Sequence, residues 1–460
     1  MFESVLFIKK NKSYMMIISE AFAVMKLFKK ANKNKKSSTS RTVHAGIEFK
    51  YFEKRLKQHL TPLMGGIAMS LSVLLVGGQA KAANFTFTKV AESTDSFFPL
   101  SAPALNNDGT IAFVAALEYV SNQDFLSVTH QGLFTITDGS LTQIADTYSY
   151  FHTFEIFTIN DSGTVAFIAE SDERIQGIFT SSGGVITPII NANEPFSYEL
   201  RGLDLNESGT IVFYRDSGFY FYSGIPAGIY TSLNGTLSPL LTVFGFGPFF
   251  GISPYPTIND SGTVAFQAND SIYTTNGGTA ISVIDPTSFS SLDSFVSINN
   301  SGTVLFGGDF ITEPGNVYPF VRGLYTARDG SLTTIATNDS FLDFYSVAIN
   351  DRDTVVFSAE IGGGIGGGIG LFTGSDPISD KVIAMGDEFF GSTIRYLSFN
   401  REGLNNSDQI AFYAQLSNGT SGIYLAERES EPQPVPEPSS VLSLLSVAAW
   451  AAYSQRKCQR

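Results

Sequence analysis

Few side chains in this sequence could do chemistry. Its 460 residues hold one cysteine, Cys458, close to the end, and four histidines, of which His130 and His152 lie in the long middle section. A single thiol excludes an internal disulfide and a Cys/His zinc spacing. Neither a G-x-S-x-G elbow nor an H-E-x-x-H pair occurs. Both histidines read as structural or exposed residues near strand starts. The tract GGGIGGGIG from Gly362 resembles a phosphate cradle in composition only. It runs into a strand-like GLFT, whereas a phosphate loop opens a helix, so it reads as a linker. Aspartates in recurrent N-D-S-G corners have the oxygen chemistry of calcium ligands, but no D-x-[DN]-x-[DN]-G loop accompanies them. For carbohydrate, which stacks on aromatic rings, the one tryptophan is Trp450 in the tail, leaving loop tyrosines such as Tyr214, Tyr220 and Tyr222. No catalytic, cofactor or metal residue is assigned on this basis; calcium is the one cofactor the composition keeps open.

The elements that would hold any site are far better defined. The phrase LNNDGTIAF at Leu105 returns six times, with leading asparagines Asn106, Asn160, Asn206, Asn259, Asn299, Asn350 and Asn405. They are separated by 54, 46, 53, 40, 51 and 55 residues, the period of a repeat architecture. In each copy an apolar residue ends one strand, Asn-x-x-Gly turns the corner, and a T-V-A-F-like run starts the returning strand. Asn can bond its side chain to backbone two residues on, and Gly supplies positive φ. Asp353 and Asp408 replace that Gly in the last two copies, and Asp tolerates the same region. Every copy ends on phenylalanine: Phe113, Phe167, Phe213, Phe266, Phe306, Phe357 and Phe412. These are expected to be buried between layers, because the flanking residue is apolar too.

A second phrase, GLFT or GIYT, follows each first one from Gly132 to Gly422, usually ahead of a tight turn such as Asp138-Gly139 or Asn234-Gly235. A short fourth strand, such as LTQIA from Leu141, completes the unit. Four antiparallel strands per ~50 residues make a propeller blade. The seventh unit lacks its fourth strand, and FTFTKVA from Phe85 has the pattern to supply it. The expected fold is an all-β, seven-bladed β-propeller of four-stranded antiparallel blades, closed by the N-terminal strand and followed by a short apolar C-terminal helix. Within it, Tyr119–His130, Asp216–Pro226, Phe244–Pro256 and Gly307–Arg322 read as the variable connections.

Charge divides the chain. Residues 1–82 carry 15 Lys/Arg against 4 Asp/Glu, and residues 83–438 carry 11 against 39. A module at net −28 is a poor partner for nucleic acid or an anionic membrane surface. Upstream, Lys54, Arg55 and Lys57 precede an apolar run from Leu63 to Val76 and then Ala80-Lys81-Ala82. That is a signal peptide, with cleavage expected after Ala82 and translation expected to start near Met25. The expected divisions are 1–82 basic extension and signal, 83–429 repeat domain, 430–438 Pro-rich linker and 439–460 anchor with basic tail.

The tail is specific. Val435-Pro436-Glu437-Pro438 precedes the apolar run Val441–Tyr453 and a basic cluster containing Arg456 and Lys457. This pattern resembles the PEP-CTERM sorting signal of exported bacterial proteins. The resemblance implies recognition by an exosortase-like enzyme, transient anchoring in the inner membrane through the apolar helix, and surface display or release beside extracellular polysaccharide or surface proteins. The apolar run has 13 residues, against about 20 for a comfortable span. The repeats resemble the tandem NxxGxxAF family with interchangeable C-terminal anchors and, more loosely, TolB-like propellers. Together these imply an exported, surface-sorted scaffold or binding protein without enzymatic activity. The competing expectation is a secreted glycan-active lyase or hydrolase working at a central cleft.

Overall fold

A computed structural model describes residues 85–429, apart from short stretches at 95–96, 100, 122–125, 149, 172–174, 191–199, 217–225, 244–250, 313–319 and 363–367. The signal-cleavage residues Ala80 and Ala82, the sorting residues Val435 to Pro438, Arg456 and Lys457, and the expected C-terminal helix lie outside the described residues. So do Tyr220 and Tyr222.

The described residues form seven antiparallel sheets, the blades of a β-propeller. Blade 2 shows the pattern from axis to rim: Phe151–Ile159, Val165–Ser171, Gln176–Ser182, Val185–Ile190. Strands one and three run toward the face carrying the Asn turns, called here the corner face. Strands two and four run toward the opposite, entry face. In blade 7 the outermost strand is Phe85–Glu92, which pairs antiparallel with Ser421–Arg428, Phe85 opposite Arg428. Both ends of the described chain therefore lie on the corner face.

The two repeated phrases are cross-strand partners. Phe167 pairs with Phe179, Phe213 with Tyr230, Phe266 with Tyr273, and likewise in the other blades. The seven ring pairs stand 5.6 to 6.0 Å apart. Such directly opposed aromatics are a main source of sheet stability. All seven repeat phenylalanines are fully buried. Each faces the preceding blade, while the residue before it faces the following one. Thus Phe167 packs with Ala112 and Val114 of blade 1, and Ala166 with Phe213 of blade 3. The interleaving runs round the circle, since Phe113 packs against Ala411 and Tyr413 of blade 7.

Two expected connections are instead continuations of the ladder. Ile111–Ser121 pairs with Leu126–Thr137, and Val304–Ile311 with Phe320–Arg328. Both stretches are rich in β-branched and aromatic residues, which favour continued pairing over a loop. His130 accordingly sits well inside a strand, stacked on Tyr148 with ring centroids 4.2 Å apart. His152 is the exposed second residue of its strand. Tyr214 is a half-buried strand residue, not a loop platform.

Candidate functional site

The Asn corners come first, because they surround the axis. In each, the Asn side-chain oxygen accepts the backbone N–H four residues on, as Thr164 N to Asn160 Oδ1 at 2.9 Å, and a Ser hydroxyl two residues on joins it in four of them. Blades 6 and 7 add the backbone N–H two residues on, the one partner the sequence pattern led one to expect. The amide nitrogen goes elsewhere. Asn106 Nδ2 donates to the Asn160 carbonyl, Asn160 to Asn206, Asn206 to Asn259, Asn259 to Asn299, Asn299 to Asn350, Asn350 to Asn405 and Asn405 back to Asn106. A second closed ring lies beside it. The backbone N–H of each following residue meets the side-chain oxygen of its counterpart one blade on: Asn107 to Asp161, then Glu207, Asp260, Asn300, Asp351 and Asn406, and back to Asn107. The corner carboxylates are thereby engaged as backbone acceptors. Among the described residues, no three His, Cys, Asp or Glu converge in a way that could hold a metal ion.

On the entry side the axis opens into a cavity of about 440 Å³, a usual size for a small-ligand site. Blade 7 shapes it. Between Ser398 and its Asn corner the chain makes a 3₁₀ turn, Arg401–Gly403, that no other blade has at this place among the described residues and that brings Arg401 and Glu402 to the axis. Arg401 Nε donates to Glu402 Oε1 at 2.9 Å, and its Nη2 reaches the Leu203 carbonyl of blade 3 at 3.0 Å. Asp204 lies 4.0 Å from that guanidinium. Asp204 is itself fixed by Thr257 Oγ1 at 2.8 Å, the Ile258 N–H at 2.9 Å and its neighbour's N–H at 2.7 Å. Burial, reinforced by the negative charge of Asp204 and opposed by Arg401, pushes the Glu402 carboxyl up to about 7.

The walls add aromatic rings and further polar groups. Tyr255 is held by a close backbone approach: Gly202 has φ +57, and a Cβ there would lie 1.9 Å from the Pro254 carbonyl oxygen. Only glycine lets the Pro254-Tyr255-Pro256 segment lie against that strand. Tyr345 donates its hydroxyl to Glu360 at 2.9 Å and faces the same cavity. Glu155 stands exposed at the rim, and the buried Ser101 hydroxyl has no hydrogen-bond partner among the described residues. Arg401 and Glu402 also border a second space below, ringed by the Asn corners, so their pair forms the partition between the two.

The sequence pattern pointed to the Asn and Phe residues, which build the frame. It gave no sign of Arg401, Glu402, Asp204, Tyr255 or Tyr345. The one available signal was irregularity: Asp204 and Arg401-Glu402 are departures at positions where other copies carry small or neutral residues.

The molecule is thus a seven-bladed β-propeller with a tyrosine-walled cavity on its axis that carries a few charged groups on a mainly apolar lining. The chain belongs to a family of unknown function, DUF7453, whose model matches residues 70–191 and 271–444. No functionally curated protein matches it. Among solved structures it is similar to a prolyl endopeptidase (12% identity over 73% of this chain and 47% of that one, TM-score 0.43). It is also similar to a chain of the mitotic checkpoint complex (11%, 76% and 94%, 0.42) and to TolB from Acinetobacter baumannii (10%, 68% and 79%, 0.36). The chain spans about half the length of that endopeptidase chain.

Proposed function

We propose that this is an exported, surface-sorted propeller that binds extracellular polysaccharide through its entry face, its tail being recognised by an exosortase-like enzyme. One observation carries the reading. The chain enters and leaves through the corner face, at Phe85 and Arg428, whereas the axial cavity opens on the opposite face. A propeller tethered through its C-terminal segment would hold that cavity away from the tether. The same entry face exposes Tyr148, Tyr150, Tyr255, Tyr345 and Tyr396, rings suited to stacking on sugar faces. Closure of the ring by the Phe85–Glu92 strand fits a display scaffold, because it covers the Ser421–Arg428 edge and gives blade 7 the same outer strand as its neighbours.

The test is binding of the secreted protein to a glycan array, repeated with Tyr255→Ala and Tyr345→Ala. Retained folding with at least tenfold weaker binding is the expected result. Unchanged binding in both variants would remove the cavity from the reading. A second reading, a glycan-active enzyme, is favoured by one feature: Glu402 holds its proton near neutral pH in a cleft, as a general acid must. Release of oligosaccharides from a bound glycan, lost in Glu402→Gln, would select it over simple binding.

A further inference from the structure

Three features of the axial cavity bear on what enters it. The cavity ends blindly, because Arg401 reaches from blade 7 to the Leu203 carbonyl of blade 3 and, with Glu402, separates it from the space below. A polymer could not thread through such a partition, so only the end of a chain or a small molecule fits. Its described lining holds two carboxyl groups and one cation. Among the described residues Arg401 is the single cation in the lining, it is already engaged by Glu402 with Asp204 behind, and Glu155 adds a further carboxylate at the rim. Arg201 lines a smaller adjoining pocket that Glu155 and Tyr255 also border, where Glu155 accepts from Gln176 Nε2. Finally, Tyr255 and Tyr345 face the same space, and aromatic rings beside carboxylates are the usual surroundings of an organic ammonium group.

We propose that the axial cavity binds the end of a saccharide chain through a primary ammonium group, taken between the Glu402 and Glu155 carboxylates and the Tyr255 and Tyr345 rings. This rests on the polysaccharide reading above and narrows it to amino sugars that are not acetylated. Acetylation removes the positive charge and adds bulk, so it abolishes the interaction with both carboxylates. Glu155, being exposed, supplies a rim contact, and Glu402, which releases its proton to solvent as the ammonium group arrives, supplies the contact at the floor.

The experiment uses the secreted full repeat protein with its native tail and titration calorimetry at low ionic strength near pH 6. The probes are a β-1,4-linked glucosamine tetramer, its fully N-acetylated counterpart, and spermidine. The tetramer is expected to bind at least tenfold more tightly than the acetylated form. Glu402→Gln and Glu155→Gln are each expected to lower the tetramer's affinity about tenfold while leaving the acetylated form within twofold. Glu155→Gln guards against misfolding, since that side chain is exposed. A long glucosamine polymer should saturate at one protein per chain, whatever its length. Equal affinity for the two saccharides, unchanged in both variants, would overturn the ammonium site while leaving saccharide binding intact. Spermidine binding that needs Glu402, with neither saccharide bound, would support the ammonium site and overturn the polysaccharide reading. Binding of none of the three would overturn both, and a stoichiometry rising with polymer length would overturn the end-on geometry.

Discussion

Asn and Phe in the repeat do different work, although the sequence presents them as one motif. Phe266 contributes volume: it is fully buried, stacked on Tyr273 and packed against Val212 and Ile229 of the preceding blade. Asn259 contributes bonds, each to a partner that has little alternative. Its oxygen accepts Thr263 N–H at 2.9 Å, and its nitrogen donates to the Asn299 carbonyl at 3.0 Å. Phe266→Ala should therefore cost roughly 3–5 kcal/mol, through lost transfer energy and an unfilled cavity. A single local hydrogen bond at the corner would make Asn259→Ala worth roughly 1 kcal/mol, but the ring raises the expectation to roughly 2–3 kcal/mol. Urea denaturation of the two variants measures both. If Asn259→Ala left stability unchanged yet abolished binding of a ligand or ion, the corners would be sites and the structural account would fail. Asp353 and Asp408 carry the same lesson. Their φ of 60 and 61 fits the turn chemistry, but each also accepts an amide N–H from the preceding blade's Asn, at 2.8 and 2.7 Å.

Among elements, the strand that begins with the second phrase shows what pattern reading reaches and where it stops. Strand type, order and the tight turns were legible, because period-2 alternation and Asn-Gly or Asp-Gly pairs are local signals. The reason for the leading glycine was not, since it depends on a ring two residues away in space. A Cβ on Gly177 would meet the Phe179 ring at 2.9 Å and the Ile190 carbonyl at 2.8 Å. The aromatic folds over the glycine and is buried by it. Blade 4 supplies the natural contrast: Ser271 replaces glycine, and Tyr273 is only half-buried where Phe179, Tyr230 and Tyr325 are buried. Gly177→Ala should accordingly destabilise by roughly 1–3 kcal/mol, through displacement of the Phe179 ring. Ser271→Ala should cost less, about 1 kcal/mol, for the loss of its hydrogen bond with Ser282. Thermal unfolding of both variants checks this, and equal losses would refute the ring-over-glycine account. The axial cavity was illegible for a related reason. Arg401, Asp204, Tyr255 and Tyr345 come from four blades, and only the circular closure of the fold brings them together.

At the scale of the whole molecule, the circle is closed by the core that blade 1 shares with blade 7, around Phe113 and Tyr413, and by two further joints. Near the axis, Asn405 donates to the Asn106 carbonyl at 3.2 Å, with Asn406 to Asn107 beside it. At the rim, Phe85–Glu92 completes blade 7, with the Phe87 ring set edge-on to Phe389 at 5.2 Å and to Phe412 at 6.2 Å. These two joints differ in kind. The inner one is a few hydrogen bonds of modest net worth, whereas the outer one buries aromatic surface and satisfies a row of backbone groups. The rim strand should therefore dominate. Removing residues 85–92 is expected to cost more than about 3 kcal/mol, because several side chains lose their packing at once. It should also leave Ser421–Arg428 as a bare edge, so the truncated protein should self-associate. A synthetic FTFTKVAE peptide added in trans should pair with that edge and restore both the melting temperature and the monomer. Light scattering and thermal unfolding, with and without the peptide, decide it. A truncated protein that melts where the intact one does, as a monomer, would show that the inner rings and the core shared by blades 1 and 7 hold the propeller closed without the rim strand.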